Sequence, residues 1–287
     1  IAAISGTMGN RVFIHKRLYK LYPNIFIFLI SKESGLGKGT PIRAVKTILR
    51  LADTTRLIIG QYSIQAVISE LAQVHTTKSG KIINTAEATL IAPEFGSFLL
   101  EDPKLFTDLT DLYDAQDNEG EWKKKLVSRE TAPLKDICIT GLFAANEVHF
   151  REALPHHAMK GGFIGRVICV FESKRRKLNS LISINKDERN RVDENLYLNL
   201  SKYLVKLSEI KGEFNISHDA AVLYNEWYNI FYDLDKELKD DTGTAERLRD
   251  SVLKIAMLLS LSDGTNLEIE KCHIEEALIQ CFRSYSS

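Results

Sequence analysis

Asn24-Ile-Phe-Ile-Phe-Leu-Ile30-Ser-Lys-Glu-Ser-Gly-Leu-Gly-Lys-Gly-Thr40 decides the fold. Its first half is an unbroken apolar run with β-branched and aromatic residues. A run of that kind fits a strand buried on both faces, as in a parallel sheet. Its second half is a glycine-rich turn, and Ala44-Val-Lys-Thr-Ile-Leu-Arg-Leu-Ala52 beyond it has helical spacing. A glycine turn between a buried strand and a helix presents several backbone N–H groups beside the positive end of the helix dipole. Phosphate binds such a nest. Ser34, Gly35, Gly37, Lys38, Gly39 and Thr40 are therefore the expected nucleotide contacts, with Lys38 reaching the outer phosphates. Against the pattern G-x-x-x-x-G-K-[ST], Lys32 stands where the first glycine belongs and Gly39 takes the hydroxyl position. That hydroxyl ordinarily holds Mg²⁺, so Thr40, one residue late, is its expected substitute.

Four further strands are expected on both sides of amphipathic helical stretches. Arg56–Gly60, Ala88–Ala92, Asp136–Phe143 and Arg166–Phe171 read as strands, while Ser63–Gln73 and Pro103–Ala115 read as helices. Strands alternating with helices give an α/β fold with a parallel sheet. After Glu172 the texture changes. A basic run, Ser173-Lys-Arg-Arg-Lys177, reads as a solvated linker, and Leu196–Ile210, His218–Leu238, Ala245–Ser262 and Ile274–Tyr285 read as helices. The expected organisation is an α/β nucleotide-binding core over 1–180 and an all-α lobe over 181–287.

A nucleotide-cleaving site also needs a carboxylate at a neighbouring strand end. In Ala88-Thr-Leu-Ile-Ala-Pro-Glu-Phe-Gly96 that residue is Glu94, with Pro93 where an Asp usually precedes it. Glu94 can orient water and contribute to Mg²⁺ binding, or it is simply a solvated strand end. Asn146 ends the fourth strand and can bond attacking water or cap the following helix. Arg166, entering the fifth strand, can stabilise phosphoryl-transfer charge or be a surface residue. Arg247, one turn before the apolar helix Val252–Leu261, can fold back onto the phosphates or stay on the helix surface.

In order and spacing these segments resemble the AAA+ ATPases, in particular the helicase domains of phage, plasmid and mobile-element replication proteins. Ala2-Ala-Ile-Ser-Gly-Thr-Met-Gly-Asn-Arg11 is similar to the helix preceding the P-loop in primase-linked helicases. Glu94-Phe-Gly96, Ala144-Ala-Asn146, Gly165-Arg166 and Arg247 fall where the distantly related minichromosome-maintenance helicases carry their Walker B acid, sensor 1, arginine finger and sensor 2. The resemblance implies a P-loop NTPase core binding ATP and Mg²⁺. It also implies a homo-oligomeric ring, expected as a hexamer, in which Arg166 acts on a neighbour's nucleotide, and an associated primase domain or partner. Single-stranded DNA is the implied track. Glu121-Trp-Lys-Lys-Lys-Leu-Val-Ser-Arg129 lies where related helicases carry a pore hairpin, so Lys123, Lys124 and Lys125 are expected on phosphates and Trp122 on a base. A charged hairpin with a packed Trp is the competing reading.

The formal net charge of zero leaves no global field to draw in nucleic acid, so any such contact is local. Cys138, Cys169, Cys272 and Cys281 form no C-x-x-C and read as reduced thiols of a cytoplasmic protein. Cys272-His273 with Cys281 matches no zinc spacing. No apolar run approaches the roughly 20 residues that span a bilayer. The opening Ile-Ala-Ala-Ile, without Met, reads as an excerpt of a longer chain. Two other classes compete with a DNA motor: a nucleotide-dependent assembly module with little hydrolysis, and a small-molecule phosphotransferase.

Overall fold

The computed structural model describes residues 1–32, 36–60, 62–78, 80, 82–95, 105–114, 125–126, 129–130, 133–153, 162–172, 194–238 and 244–285. The chain begins with helix α1 (Ala2–Met8) and an antiparallel pair, β1 (Val12–Lys16) and β2 (Tyr19–Leu21). The deciding apolar run is strand β3 (Phe26–Ser31), followed by α2 (Gly39–Ala52) and β4 (Leu57–Ile59). Next come α3 (Ile64–Leu71), the small pair β5 (His75–Thr76) and β6 (Ile82–Ile83), β7 (Glu87–Ala92) and α4 (Leu105–Asp114). Two-residue strands β8 (Lys125–Leu126) and β9 (Arg129–Glu130) pair antiparallel. Then follow β10 (Cys138–Asn146), α5 (Glu147–Ala153) and β11 (Val167–Glu172).

The five apolar runs form one five-stranded sheet in the order β11-β3-β10-β7-β4, and every pairing in it is parallel. The first of these five strands in sequence, β3, thus lies inside the sheet, between the last of them and the fourth. Alternation along β3 divides the core between two faces. Phe26, Phe28 and Ile30 face a cluster with Phe95, Phe106, Phe143 and Phe163. Phe28 and Phe95 each lie 4.7–4.8 Å from a ring neighbour in tilted or edge-on contact, a favoured aromatic geometry. Ile25 and Ile27 face an aliphatic cluster with Leu142, Ala144 and Ile168, shared with α1, α2 and the C-terminal helices.

Local chemistry fixes the helix ends. The Ser63 hydroxyl accepts from the Ala66 N–H (3.2 Å) and starts α3. At the other end of α3 the buried Arg56 guanidinium donates to the Glu70 and Leu71 carbonyls, both at 3.0 Å, so a buried charge meets the negative end of a helix.

The C-terminal region is helical: α6 (Glu194–Leu207), α7 (His218–Leu238), α8 (Thr244–Asp263) and α9 (Lys271–Tyr285), with the short strands β12 (Gly212–Glu213), β13 (Asn215–Ile216) and β14 (Glu268–Ile269) between them. The later part of α8 is a largely apolar run buried on nearly every side: Val252, Ile255, Met257, Leu258 and Leu261 are fully enclosed. The N-terminal segment belongs to the same packing. Strand β12 pairs with β1, and Met8, Val12 and Ile14 share one core with Leu204, Phe214 and Val252. Helix α1 presses on strand β7 so closely that a Cβ on Gly6 would lie 2.1 Å from the Thr89 hydroxyl oxygen. The expected boundary near residue 180 and the basic run Lys174–Lys177 lie outside the described residues.

Candidate functional site

The glycine-rich turn leaves the carboxyl end of β3, where the sheet has neighbours on both sides whose connections run in opposite directions. In open parallel sheets that crevice is where ligands bind. Ser34 and Gly35 lie outside the described residues. From Leu36 onward the backbone is defined. Gly37 has φ +81°, a conformation that disfavours other residues, and among the described residues no other part of the chain lies within 4 Å of where a Cβ on Gly37 or Gly39 would stand. The two glycines therefore border open space beside the start of α2. Thr40 donates its backbone N–H to the Gly37 carbonyl (3.0 Å), and its side chain is exposed in the first turn of the helix.

The Lys38 side chain crosses the strand ends: its ammonium donates to the Ala145 carbonyl of β10 (2.9 Å). Burial lowers the Lys38 pKa below the ordinary lysine range, while the nearby Glu94 carboxylate works in the opposite direction. Glu94 stands exposed just past the end of β7, so lysine and carboxylate come from the ends of two strands, β3 and β7, that flank β10. Asn146, at the end of β10, does two things. Its side-chain oxygen accepts from the Val148 N–H (2.9 Å), capping α5, and its amide donates to the Lys32 carbonyl (3.4 Å) at the entrance to the glycine turn. Lys38, Glu94 and Asn146 are thus gathered at one edge of the sheet, with the Thr40 turn beside them.

Arg166 and Arg247 are gathered elsewhere. Arg166 immediately precedes Val167, which pairs with Phe26 at the beginning of β3, whereas Lys38 follows the end of β3. A six-residue strand separates the two levels, about 20 Å. Arg166 is buried and makes a two-pronged pair with Asp114 at the end of α4: Nε donates to Oδ1 (2.8 Å) and Nη2 to Oδ2. Its Nη1 donates to the Gly162 carbonyl (2.6 Å). Arg247 lies against the same Gly162, its guanidinium atoms 2.6–2.9 Å from where a Cβ would be. Burial lowers the Arg247 pKa, the Arg166 charge lowers it further, and Asp114 acts in the opposite direction. Arg247 therefore joins Arg166 instead of folding back over its own chain's Lys38.

Sequence reasoning missed a third cation here. The Lys254 ammonium is buried, donates to Asn24 Oδ1 (2.7 Å) and the Tyr113 hydroxyl (2.9 Å), and lies 4.1 Å from the centre of the Tyr113 ring. Burial outweighs these partners and lowers its pKa to about 8. Its signal was present: a lysine inside the apolar run Val252–Leu261 has no water to reach and must find partners inside. Tyr19, Lys20, Arg166, Arg247, Asp250 and Lys254 line a cleft of about 270 Å³.

Trp122, Lys123 and Lys124 lie outside the described residues, and Lys125 is described by its backbone alone, in the β8–β9 pair. None of the four cysteines forms a disulfide. His273 accepts the Glu270 N–H at Nδ1 (3.0 Å) and meets Asp263 at Nε2 (3.2 Å), which accounts for both ring nitrogens within the protein. Among the described residues no group of three or more His, Cys, Asp or Glu is arranged to hold a metal, and no helix is long and apolar enough to cross a membrane. No protein-family model matches the sequence, and no curated protein matches it.

Proposed function

We propose that the chain is an ATP-binding and ATP-hydrolysing motor module of the P-loop, AAA+-like class, serving a replication-type DNA helicase or translocase. One observation carries the reading: the lysine of the glycine turn reaches across to the end of β10, near the carboxylate that follows β7 on its other side. The open space at Gly37 and Gly39 accommodates phosphate oxygens near backbone N–H groups. Lys38 exchanges its bond to Ala145 for the outer phosphates. Glu94 holds and accepts a proton from the water that attacks the terminal phosphorus, and Asn146 steadies that water. Mg²⁺, when bound, neutralises charge between the outer phosphates. Thr40 and Glu94 would supply the protein oxygens that hold it.

Arg166 and Arg247 lie about a strand's length from Lys38. That separation supports action on the nucleotide of a second copy, as in a ring such as a hexamer, where an arginine offsets developing phosphoryl charge. Single-stranded DNA is the proposed track and a primase domain a proposed companion.

The decisive test is steady-state ATP turnover of the wild type and Lys38→Ala, with and without single-stranded DNA. The expected result is a fall of about 10²-fold or more in the variant and stimulation of the wild type by DNA. Turnover that neither falls in the variant nor responds to DNA overturns the reading. A second reading, ATP-dependent assembly with little hydrolysis, draws on Gly39 and Pro93, which leave few protein oxygens for Mg²⁺. Mass measurement with a non-hydrolysable analogue, beside turnover, separates the two: assembly without turnover favours the second.

A further inference from the structure

The first acidic residue of the chain is Glu33, while Arg11, Lys16, Arg17, Lys20 and Lys32 all precede it. Three of these five, Lys16, Arg17 and Lys20, sit on one hairpin. In β1–β2 the pairs are Ile14 with Leu21, His15 with Lys20 and Lys16 with Tyr19, so Arg17 and Leu18 form the tip. Alternation sends two sets of side chains to opposite faces. Val12, Ile14 and Leu21 are buried, and on the same side Lys16 and the Tyr19 hydroxyl bond Asp250 of α8. The hairpin is thereby fixed to the helical region from its inner face.

The outer face carries Phe13, His15, Lys20 and Tyr22, continued by Arg17 at the tip. His15, Arg17 and Lys20 are exposed, and Leu18 is 95% exposed. Phe13 and Tyr22 meet edge-on at 6.1 Å, and the Lys20 ammonium lies 4.5 Å from the Phe13 ring centre. Directly opposed strand positions ordinarily hold opposite charges. Here two basic residue types, His15 and Lys20, oppose each other, with Arg17 beside them. Glu213 on β12, next to Phe13, bounds the face on its far side. Cations interleaved with aromatic rings on a rigid, outward-facing strand pair are the chemistry that holds a phosphate backbone while bases lie on the rings.

We infer that this hairpin face binds single-stranded nucleic acid, with Arg17 and Lys20 on phosphates and Phe13 and Tyr22 against bases. The site does not depend on the ATPase reading, so it is tested without nucleotide. The probe is a fluorescent oligothymidine, titrated by anisotropy across a salt series against the whole chain and against Lys38→Ala. Both are expected to bind alike. Arg17→Ser with Lys20→Ser is expected to lower affinity and to reduce the slope of log affinity against log salt by about 1 to 2. Phe13→Leu keeps an apolar side chain but removes the ring, and should weaken binding about five- to hundredfold. Arg17→Ser alone, at the exposed tip, gives the same direction with the least risk to folding. Unchanged affinity and salt slope in the charge variants overturns the proposal. So does sensitivity to charge with indifference to Phe13→Leu, which points instead to an acidic protein surface.

Discussion

The two ends of the central sheet are built in opposite ways. At the carboxyl end, Gly37 and Gly39 border open space among the described residues, Thr40 and Glu94 are exposed, and Lys38 bonds the Ala145 carbonyl. At the amino end, Arg166 is buried and bonded on both edges of its guanidinium, Arg247 is packed on Gly162, and Lys254 is enclosed with two bonding partners. An open edge with a loosely held cation suits a ligand that comes and goes. A dense polar cluster keeps its charges at fixed positions, because each is over-determined by its neighbours. If both ends serve phosphoryl transfer, they do so on different nucleotides, since about 20 Å of strand divides them within one chain.

The strongest way to break that contrast is to disable one end and supply it from another copy. Arg166→Ala is expected to lower ATP turnover about 10³-fold while leaving nucleotide affinity of the isolated subunit unchanged. Mixing it with Lys38→Ala subunits should restore part of the turnover. A mixed interface joins an intact Lys38 on one subunit to an intact Arg166 on the next. Turnover of a mixture no greater than that of either variant alone would show that the two ends do not meet between copies.

Stability against pH sharpens the amino end specifically. The folded-state pKa of Lys254 is lowered from 10.5 to about 8 because its ammonium is buried. Below pH 8 folded and unfolded chains both keep the proton, and the group contributes no slope. Between about 8 and the unfolded value, the unfolded chain binds a proton that the folded chain has released. Stability therefore rises with pH through that window. In urea unfolding, the wild type should gain on the order of 1–3 kcal/mol over Lys254→Met between pH 8 and 10.5. A constant difference across that range would mean that the lysine is not enclosed.

The sequence made one end far more legible than the other. Each sheet strand announced itself as an apolar run, and His218–Leu238 has the bounds its periodicity implies. Lys38 and Glu94 could be read because both lie within a few residues of a strand end. The order of the strands could not, since parallel pairing is settled by long-range contacts rather than by turn chemistry. Neither could the amino-end cluster: Lys254 and Asn24 are 230 residues apart, and no local pattern joins Asp114 to Arg166. The β1–β2 hairpin passed unnoticed because its alternation is imperfect, with the rings of Phe13 and Tyr22 on its outer face. Lys16 and Tyr19 interrupt the alternation of Val12, Ile14 and Leu21, although they turn inward to Asp250.

The smallest expected effect concerns Asn146, where the open end borrows the manner of the closed one. Its side-chain oxygen caps α5 and its amide reaches Lys32. Two roles are thus folded into one residue, and two substitutions separate them. Asn146→Ala removes both and should cost about 1 kcal/mol in unfolding free energy, the ordinary worth of a lost cap. Asn146→Ser keeps an oxygen suited to capping and should recover most of that stability. It has no amide, so Lys32 and any attacking water lose their donor. Under the proposed mechanism both variants turn over ATP about tenfold or more slowly, and only the alanine variant melts early. If serine restores turnover together with stability, Asn146 acts on the site only by holding α5 in place.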